Sequence, residues 1–269
     1  MNDAYASLPD VIADRPHPFV LRLTLNRPDA LNALTPEMHK AFTEVWRTID
    51  ADETVSAVLL TGSGRAFCAG GDLDLVERMT RDFRIRTTVW KEARDMVYNM
   101  INCSKPIVTA INGVAVGAGL VLALMADITI AGHSAKLIDG HSRLGVAAGD
   151  HAPIIWPLLC GMAKAKLHLL LNDPIDGREA ERIGLVSMAV PDEDLPSRAL
   201  TIAVRLAEGP QSAQRWTKLA LNNWLKLAAP IFEAAVAMEF LGFSGPEAPE
   251  GVAALKARRT PDFPRSSPV

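Results

Sequence analysis

The chain has 269 residues, 49% of them hydrophobic and 22% charged, with a formal net charge of -3. That length suits one large domain, or one domain with a helical appendage, and a core of this size needs no covalent staples. A sequence pI near 6.1 offers no basic footprint for nucleic acid or an anionic membrane, so an anionic ligand must be held locally by backbone N–H groups and a few cations. Cys68, Cys103 and Cys160 are odd in number and without CxxC spacing, which reads as buried thiols in a reducing compartment. Met1 to Asp14 carries acids and lacks a cationic region followed by an apolar run, so no signal peptide is expected. The apolar stretch Gly113 to Ala126 is too short to span a bilayer and runs into Asp127. A cytoplasmic protein without membrane or nucleic-acid partners is expected.

Val20 to Leu25 alternates apolar and polar residues, the pattern of a half-buried strand. Asn26-Arg27-Pro28-Asp29 makes a turn. Thr35-Pro36-Glu37 then opens a helix with an N-cap and a proline in its first position, and Met38, Phe42, Val45, Trp46 and Ile49 recur at helical spacing. Ala57 to Leu60 is a short apolar strand closed by Gly62-Ser63-Gly64. A long helix is predicted across about Asp74 to Ile101, then a strand from Ile107 to Ile111, a helix from Leu120 to Met125 and a strand from Ile128 to Ala131. Strand, crossover and strand at this rhythm argue for a parallel-type α/β sheet. From Gly132 to about Ala152 the pattern is loop-like, and beyond Ala163 it is helical, interrupted at Pro191, Gly209-Pro210 and Pro246. These features divide the chain into an α/β core over residues 1–200 and a helical region over 201–269. The apolar residues Ile231, Phe232, Val236, Met238, Phe240 and Leu241 exceed what an isolated helix pair can hide, so a second subunit is expected to cover them.

Two glycine-bearing strand-to-helix turns stand out, Arg65 to Leu73 and Asn112 to Gly119. Each leaves small residues at a helix start, where N–H groups lack partners and negative charge is favoured. Side by side, they would supply two converging donors, an oxyanion hole for a carbonyl that becomes an enolate. Taken singly, the glycines of each turn read more simply as allowing close helix–strand packing.

Several runs resemble successive motifs of the crotonase (enoyl-CoA hydratase/isomerase) superfamily: Asn26 to Leu34, Phe67 to Leu73, Lys105 to Gly113, Gly117-Ala118-Gly119, Ala126-Asp127-Ile128 and Glu179 to Val186. The likeness runs in order from Val20 to Pro261. It implies an α/β spiral of ββα units with a C-terminal helical trimerisation region, a homotrimer or dimer of trimers, and acyl-CoA substrates, with CoA entering as part of the substrate and no separate cofactor. By position, the oxyanion N–H groups would come from Gly71 and Ala118. CoA and acyl contacts would come from Arg27, Ala30, Ala69, Asp72, Leu73 and Val121.

The two glutamates of a hydratase in this superfamily correspond to Val121 and His141, so ordinary two-carboxylate hydration is not expected. The loop Asp139 to His151 resembles instead that of 6-oxocamphor hydrolase, a superfamily member that hydrolyses a carbon–carbon bond. The resemblance implies His141 as a base that activates water and Asp150 as its orienting partner, the usual use of a titratable imidazole beside a carboxylate. It adds Glu239 as an assisting carboxylate, a residue that would otherwise read as helix surface. Both turns are retained here, which implies a thioester and not a free diketone. His133, His141, Asp150 and His151 follow no recognised metal-ligand spacing, and no metal is expected. Asp74 stands where many members carry a lysine near the CoA nucleotide. Arg78, Arg81, Arg84 and Arg86 read as a solvated face, and Trp156, Trp216 and Trp224 as core or interface. The implied reaction is C–C hydrolysis of a β-oxoacyl-CoA, a lyase or hydrolase activity. Its alternatives are hydration or isomerisation by His141 and Asp150, and a non-catalytic acyl-CoA-binding trimer.

Overall fold

A computed structural model describes residues 3–266 of the chain. Its strands are β1 (Val11–His17), β2 (Val20–Leu25), β3 (Ala57–Gly62), β4 (Ala66–Cys68), β5 (Ile107–Ile111), β6 (Val114–Val116), β7 (Ile128–Gly132), β8 (Lys136–Ile138), β9 (Ile175–Asp176) and β10 (Met188–Val190). One sheet has the order β1-β2-β3-β5-β7-β10, and a smaller one the order β4-β6-β8-β9. From β3 to β8 consecutive strands thus alternate between sheets, and each pair is followed by a helix: Leu73–Arg81 after β4, Ala118–Leu124 after β6, His141–Leu144 after β8. The repeated strand–strand–helix unit winds into a spiral, because each short helix must return the chain to a parallel position in the large sheet.

The expected strands β2, β3, β5 and β7 are present, and their apolar runs have a physical cause. Both faces of the large sheet are covered, and period-two alternation divides each strand between them. Leu21, Leu23, Val58, Leu60, Ile107 and Ile111 face the main core. Val20, Ala57, Leu59, Val108 and Ala110 face a second layer built on Leu195, Ala199 and Ala203 of the helix Leu195–Ala207. That helix runs through residue 200 and lies on the sheet. Lys218 Nζ, buried, donates to the Lys105 carbonyl and pairs with Asp127 Oδ2, each at 2.8 Å, and so ties the later helices to the core.

Several expectations change. The predicted helix Asp74–Ile101 is two helices, Leu73–Arg81 and Phe83–Asn102. They part at Asp82, whose extended backbone (φ -120°, ψ 113°) lets its carboxylate cap the second through Arg84 N and Ile85 N. The segment read as loop before Ala152 contains β8 and the turn of helix His141–Leu144, and the segment read as wholly helical beyond Ala163 contains β9 and β10. These strands are two or three residues long, too short for a periodic signal. β1 also went unpredicted. It is an antiparallel edge strand whose register shifts between Asp14 and His17, where Pro16 sits, as edges and bulges allow.

The C-terminal apolar residues divide. Phe232, Val236 and Phe240 are buried within the chain, whereas Ile231, Met238 and Leu241 are exposed, along with Trp216, Trp224, Leu227, Leu170 and Leu171. Trp156 is core. Cys68 and Cys103 are buried, but Cys160 is only half-buried, and all three are free thiols. The helix Ala152–Leu171 has the length and apolarity to cross a membrane. It is not continuous, since Gly161 (φ 77°, ψ 156°) breaks it.

Candidate active site

The two glycine turns lie against each other. A Cβ on Gly70 (φ 92°) would come within 2.8 Å of the Val116 carbonyl oxygen and 3.9 Å of Ala118 N, and one on Gly119 within 2.3 Å of the Cys68 carbonyl oxygen. Glycine is required at both positions because a backbone segment occupies the space a side chain would take. Gly117 (φ 49°, ψ -119°) opens the helix Ala118–Leu124, whose first N–H groups have no intrahelical partner. Gly71 and Ala118 both line a cavity of about 740 Å³. Ala30, Ala69, Asp72 and Leu73 line it as expected.

Two expected contacts are absent from that lining. Val121 is buried in the main core, because its place on the helix turns it inward. Arg27 is held away by the chain itself: its guanidinium donates to the Ala33 carbonyl at 2.6 Å and meets Asp72 Oδ2 at 3.4 Å. Arg78, Arg81 and Arg84 are exposed, and Arg86 donates to the Met79 carbonyl. Asp74 and Lys256 of the helix Glu247–Lys256 both line the cavity and pair with each other at 2.6 Å.

The loop carrying His141 is fastened to the second turn. Gly117 N donates to the Asp139 carbonyl at 3.0 Å. Asn172 clamps the next residues, its Oδ1 accepting from Gly140 N at 2.9 Å and its Nδ2 donating to Ser142 Oγ at 2.8 Å. Gly149 packs the end of the loop onto the helix Ala229–Gly242; a Cβ there would lie 2.3 Å from the Ala235 carbonyl oxygen and 2.7 Å from Glu239 Cβ. This approach brings Glu239, 89 residues after Asp150 in sequence, beside that aspartate.

His141, Asp150 and Glu239 are all buried, and all line the cavity. His141 Nε2 is 3.5 Å from Asp150 Oδ2 and 3.6 Å from Glu239 Oε1, while Nδ1 is 3.1 Å from Asp139 Oδ1. Asp150 Oδ1 meets His151 Nδ1 at 2.6 Å. Glu239 Oε2 is buried without a hydrogen-bond partner among the described residues. Asp139 and His151 were not expected to take part. The signal for Asp139 was only its place two residues before His141, since a hydrogen-bond role depends on side-chain direction.

Burial in this cluster disfavours every charge, and the neighbours decide the outcome. Burial works against the His141 imidazolium, but Asp139, Asp150 and Glu239 outweigh it and hold its pKa well above the ordinary 6.5. For Asp150 burial is outweighed by His141 and His151, and its carboxyl is lowered. For Glu239 burial prevails over the pull of His141, helped by the charges of Asp150 and Asp139, and its carboxyl is pushed up to about 7. A charged imidazole between an ionised aspartate and a glutamate near neutrality is an arrangement able to give and take protons. Side-chain nitrogen and oxygen atoms of His141, Asp150 and Glu239 lie within 4.8 Å of one another, a spacing that suits a small cation only where the imidazole is neutral and has a lone pair to give. His133 lies instead at the end of β7, its N–H bonded to the Val190 carbonyl.

The profile of the enoyl-CoA hydratase/isomerase family matches residues 17–265. The chain is 34% identical over 248 residues to the 1,2-epoxyphenylacetyl-CoA isomerase of Escherichia coli, covering 91% of this chain and 94% of that relative. It is also 34% identical to a probable enoyl-CoA hydratase of Rhodobacter capsulatus, covering 90% and 93%. Among solved structures, an enoyl-CoA hydratase/isomerase from Mycobacterium paratuberculosis superposes with a TM-score of 0.87 at 31% identity, over 92% of this chain and 99% of that one. The motifs, the two-sheet spiral and these likenesses agree: the chain belongs to the enoyl-CoA hydratase/isomerase family of the crotonase superfamily.

Proposed function

We propose that this family member hydrolyses a carbon–carbon bond of a β-oxoacyl-CoA, with His141, Asp150 and Glu239 moving the protons and Gly71 and Ala118 holding the thioester enolate. The observation that carries the reading is the buried His141, its Nε2 3.5 Å from Asp150 Oδ2 and 3.6 Å from Glu239 Oε1, on the cavity wall next to the second glycine turn. Glu239 lines the cavity and its Oε2 has no hydrogen-bond partner among the described residues, which leaves that oxygen uncommitted. The resemblance implies His141 as the base, but its carboxylate neighbours raise its pKa well above 6.5, so in this reading the Glu239 carboxylate takes the water's proton instead, and the imidazolium donates to the β-carbonyl oxygen as charge develops there. Asp150 and Asp139 keep the ring charged and oriented.

Water adds to the β-carbonyl and its proton passes to Glu239. The tetrahedral adduct collapses, the bond between Cα and Cβ breaks, and the electron pair becomes the enolate of the thioester. A proton from the Glu239 carboxyl then reaches Cα, so that a β-oxoacyl-CoA and one water give a carboxylic acid and an acyl-CoA; a cyclic substrate opens to a single acid thioester. Hydration or isomerisation of an enoyl-CoA by the same cluster is the second reading, favoured by the names of the relatives. Incubation with a cyclic β-oxoacyl-CoA and with a 2-enoyl-CoA in ¹⁸O-labelled water separates them by mass spectrometry. Label in a new carboxyl group supports hydrolysis, label in a hydroxyacyl-CoA supports hydration, and unlabelled rearranged thioester supports isomerisation. The exposed apolar residues Leu170, Leu171, Trp224 and Leu227 support self-association, in the trimeric form expected above.

A further inference from the structure

His151 is fully buried and does not line the cavity, yet its Nδ1 lies 2.6 Å from Asp150 Oδ1. The opposite oxygen of the same carboxylate, Oδ2, faces His141 Nε2 at 3.5 Å. A carboxylate turns freely about its Cβ–Cγ bond unless a donor fixes its plane, and a short bond to one oxygen determines where the other points. The His151 backbone is itself fixed, since its carbonyl accepts from Ile154 N and Ile155 N at 3.1 Å as the N-cap of the helix Ala152–Leu171. Its far ring nitrogen, Nε2, is buried with no partner among the described residues. A histidine used only to fill space would leave that cost without return, because a buried unpaired polar atom is unfavourable and an apolar ring fills the same volume.

We propose that His151 is a positioning residue of the proton-transfer site, its Nδ1–H aiming Asp150 at His141. It acts through Asp150 and does not touch substrate. The inference rests on the proposed use of His141 and Asp150 in proton transfer. The bond to Oδ1 also keeps Asp150 a carboxylate, which leaves Glu239 as the acid that carries the reaction's proton.

Two substitutions separate positioning from packing. His151→Asn retains an N–H donor near the Nδ1 position and loses most of the ring. His151→Phe retains the ring and loses the donor. The first readout is deuterium exchange at Cα of a bound acyl-CoA in D₂O, which needs only enolate formation. His151→Phe is expected to lower the exchange rate about 10–100-fold with thioester affinity unchanged, the usual effect of removing a partner that orients a reacting group. His151→Asn is expected to recover about tenfold of that loss. His151→Gln, whose amide reaches toward the Nε2 position instead, serves should the phenylalanine variant fail to fold, and is expected to lose rate likewise. The second readout is the ¹⁵N shift of the His141 ring, which needs no turnover and is expected to move in the Phe and Gln variants and to stay in place in Asn. A role in packing alone gives the reverse order, with Phe near wild type and Asn impaired, and that result, or an unmoved His141 signal in all three, overturns the proposal. Wild-type exchange without cleavage of any β-oxoacyl-CoA overturns the hydrolase reading while leaving this one standing.

Discussion

Replacing Glu239 by glutamine should make the protein more stable and less active, and the gain in stability should depend on pH. Glu239 is buried, and its carboxyl is pushed from an ordinary 4.5 up to about 7, burial being the largest cause. The fold therefore favours the neutral acid. The stability this contributes is fully present below pH 4.5 and is lost as pH rises through about 7. At roughly 1.4 kcal/mol for each pH unit, the cost of ionising Glu239 inside the fold is about 3 kcal/mol above neutrality. Glutamine resembles the neutral acid and cannot ionise, so Glu239→Gln should match wild type at about pH 4.5 and exceed it by up to about 3 kcal/mol at about pH 8.5. Turnover should fall about 10²–10⁴-fold, because the group that accepts the water's proton is gone. Urea unfolding at both pH values and one fixed protein concentration measures the difference, the fixed concentration removing any contribution from assembly. A variant destabilised equally at both pH values would show that Glu239 is a carboxylate stabilised by His141, and the division of roles in the cluster would be wrong.

His141→Ala and Asp150→Asn are each expected to abolish turnover while leaving calorimetric CoA-thioester binding largely intact, and the double variant to cost little more than the worse single one, since the two act as a unit. Gly70→Ala forces a Cβ to within 2.8 Å of the Val116 carbonyl oxygen at φ 92°. It should displace the Gly71 N–H and lower kcat by about 10²–10³-fold, and unchanged kinetics would remove that donor from the site. Hydration of crotonyl-CoA should fall far below the common enzyme range of roughly 1–10³ per second, and a rate within that range refutes the argument from Val121 and His141. Light scattering on a sizing column should give a trimer or a multiple of it. Leu227→Lys, which places a charge on an exposed apolar position, should shift the protein toward the monomer, and an unchanged mass would separate Leu227 from the interface.

The sequence by itself determined the repeated strand, turn and helix rhythm, the four strands that form the middle of the large sheet, and the family. Their signals are local: covered strands read as apolar runs, Thr35-Pro36 reads as a helix start, and glycines mark turns where two backbones touch. His141 and Asp150 were legible because the resemblance marks the whole loop between them. Glu239 was named only through the resemblance, since a glutamate in a helical pattern reads as surface, and its burial depends on Gly149 bringing a loop onto a helix from ninety residues away. Only the tertiary structure decided that Val121 is core and that Arg27 is taken up by Asp72 and Ala33. It also joined Asp139 and His151 to the cluster and divided the late apolar residues between the core and an exposed face. The physical reason is common to all of these. Charge state and contact in a buried site depend on distances between atoms that the chain brings together from separate elements, and no spacing along the sequence encodes those distances.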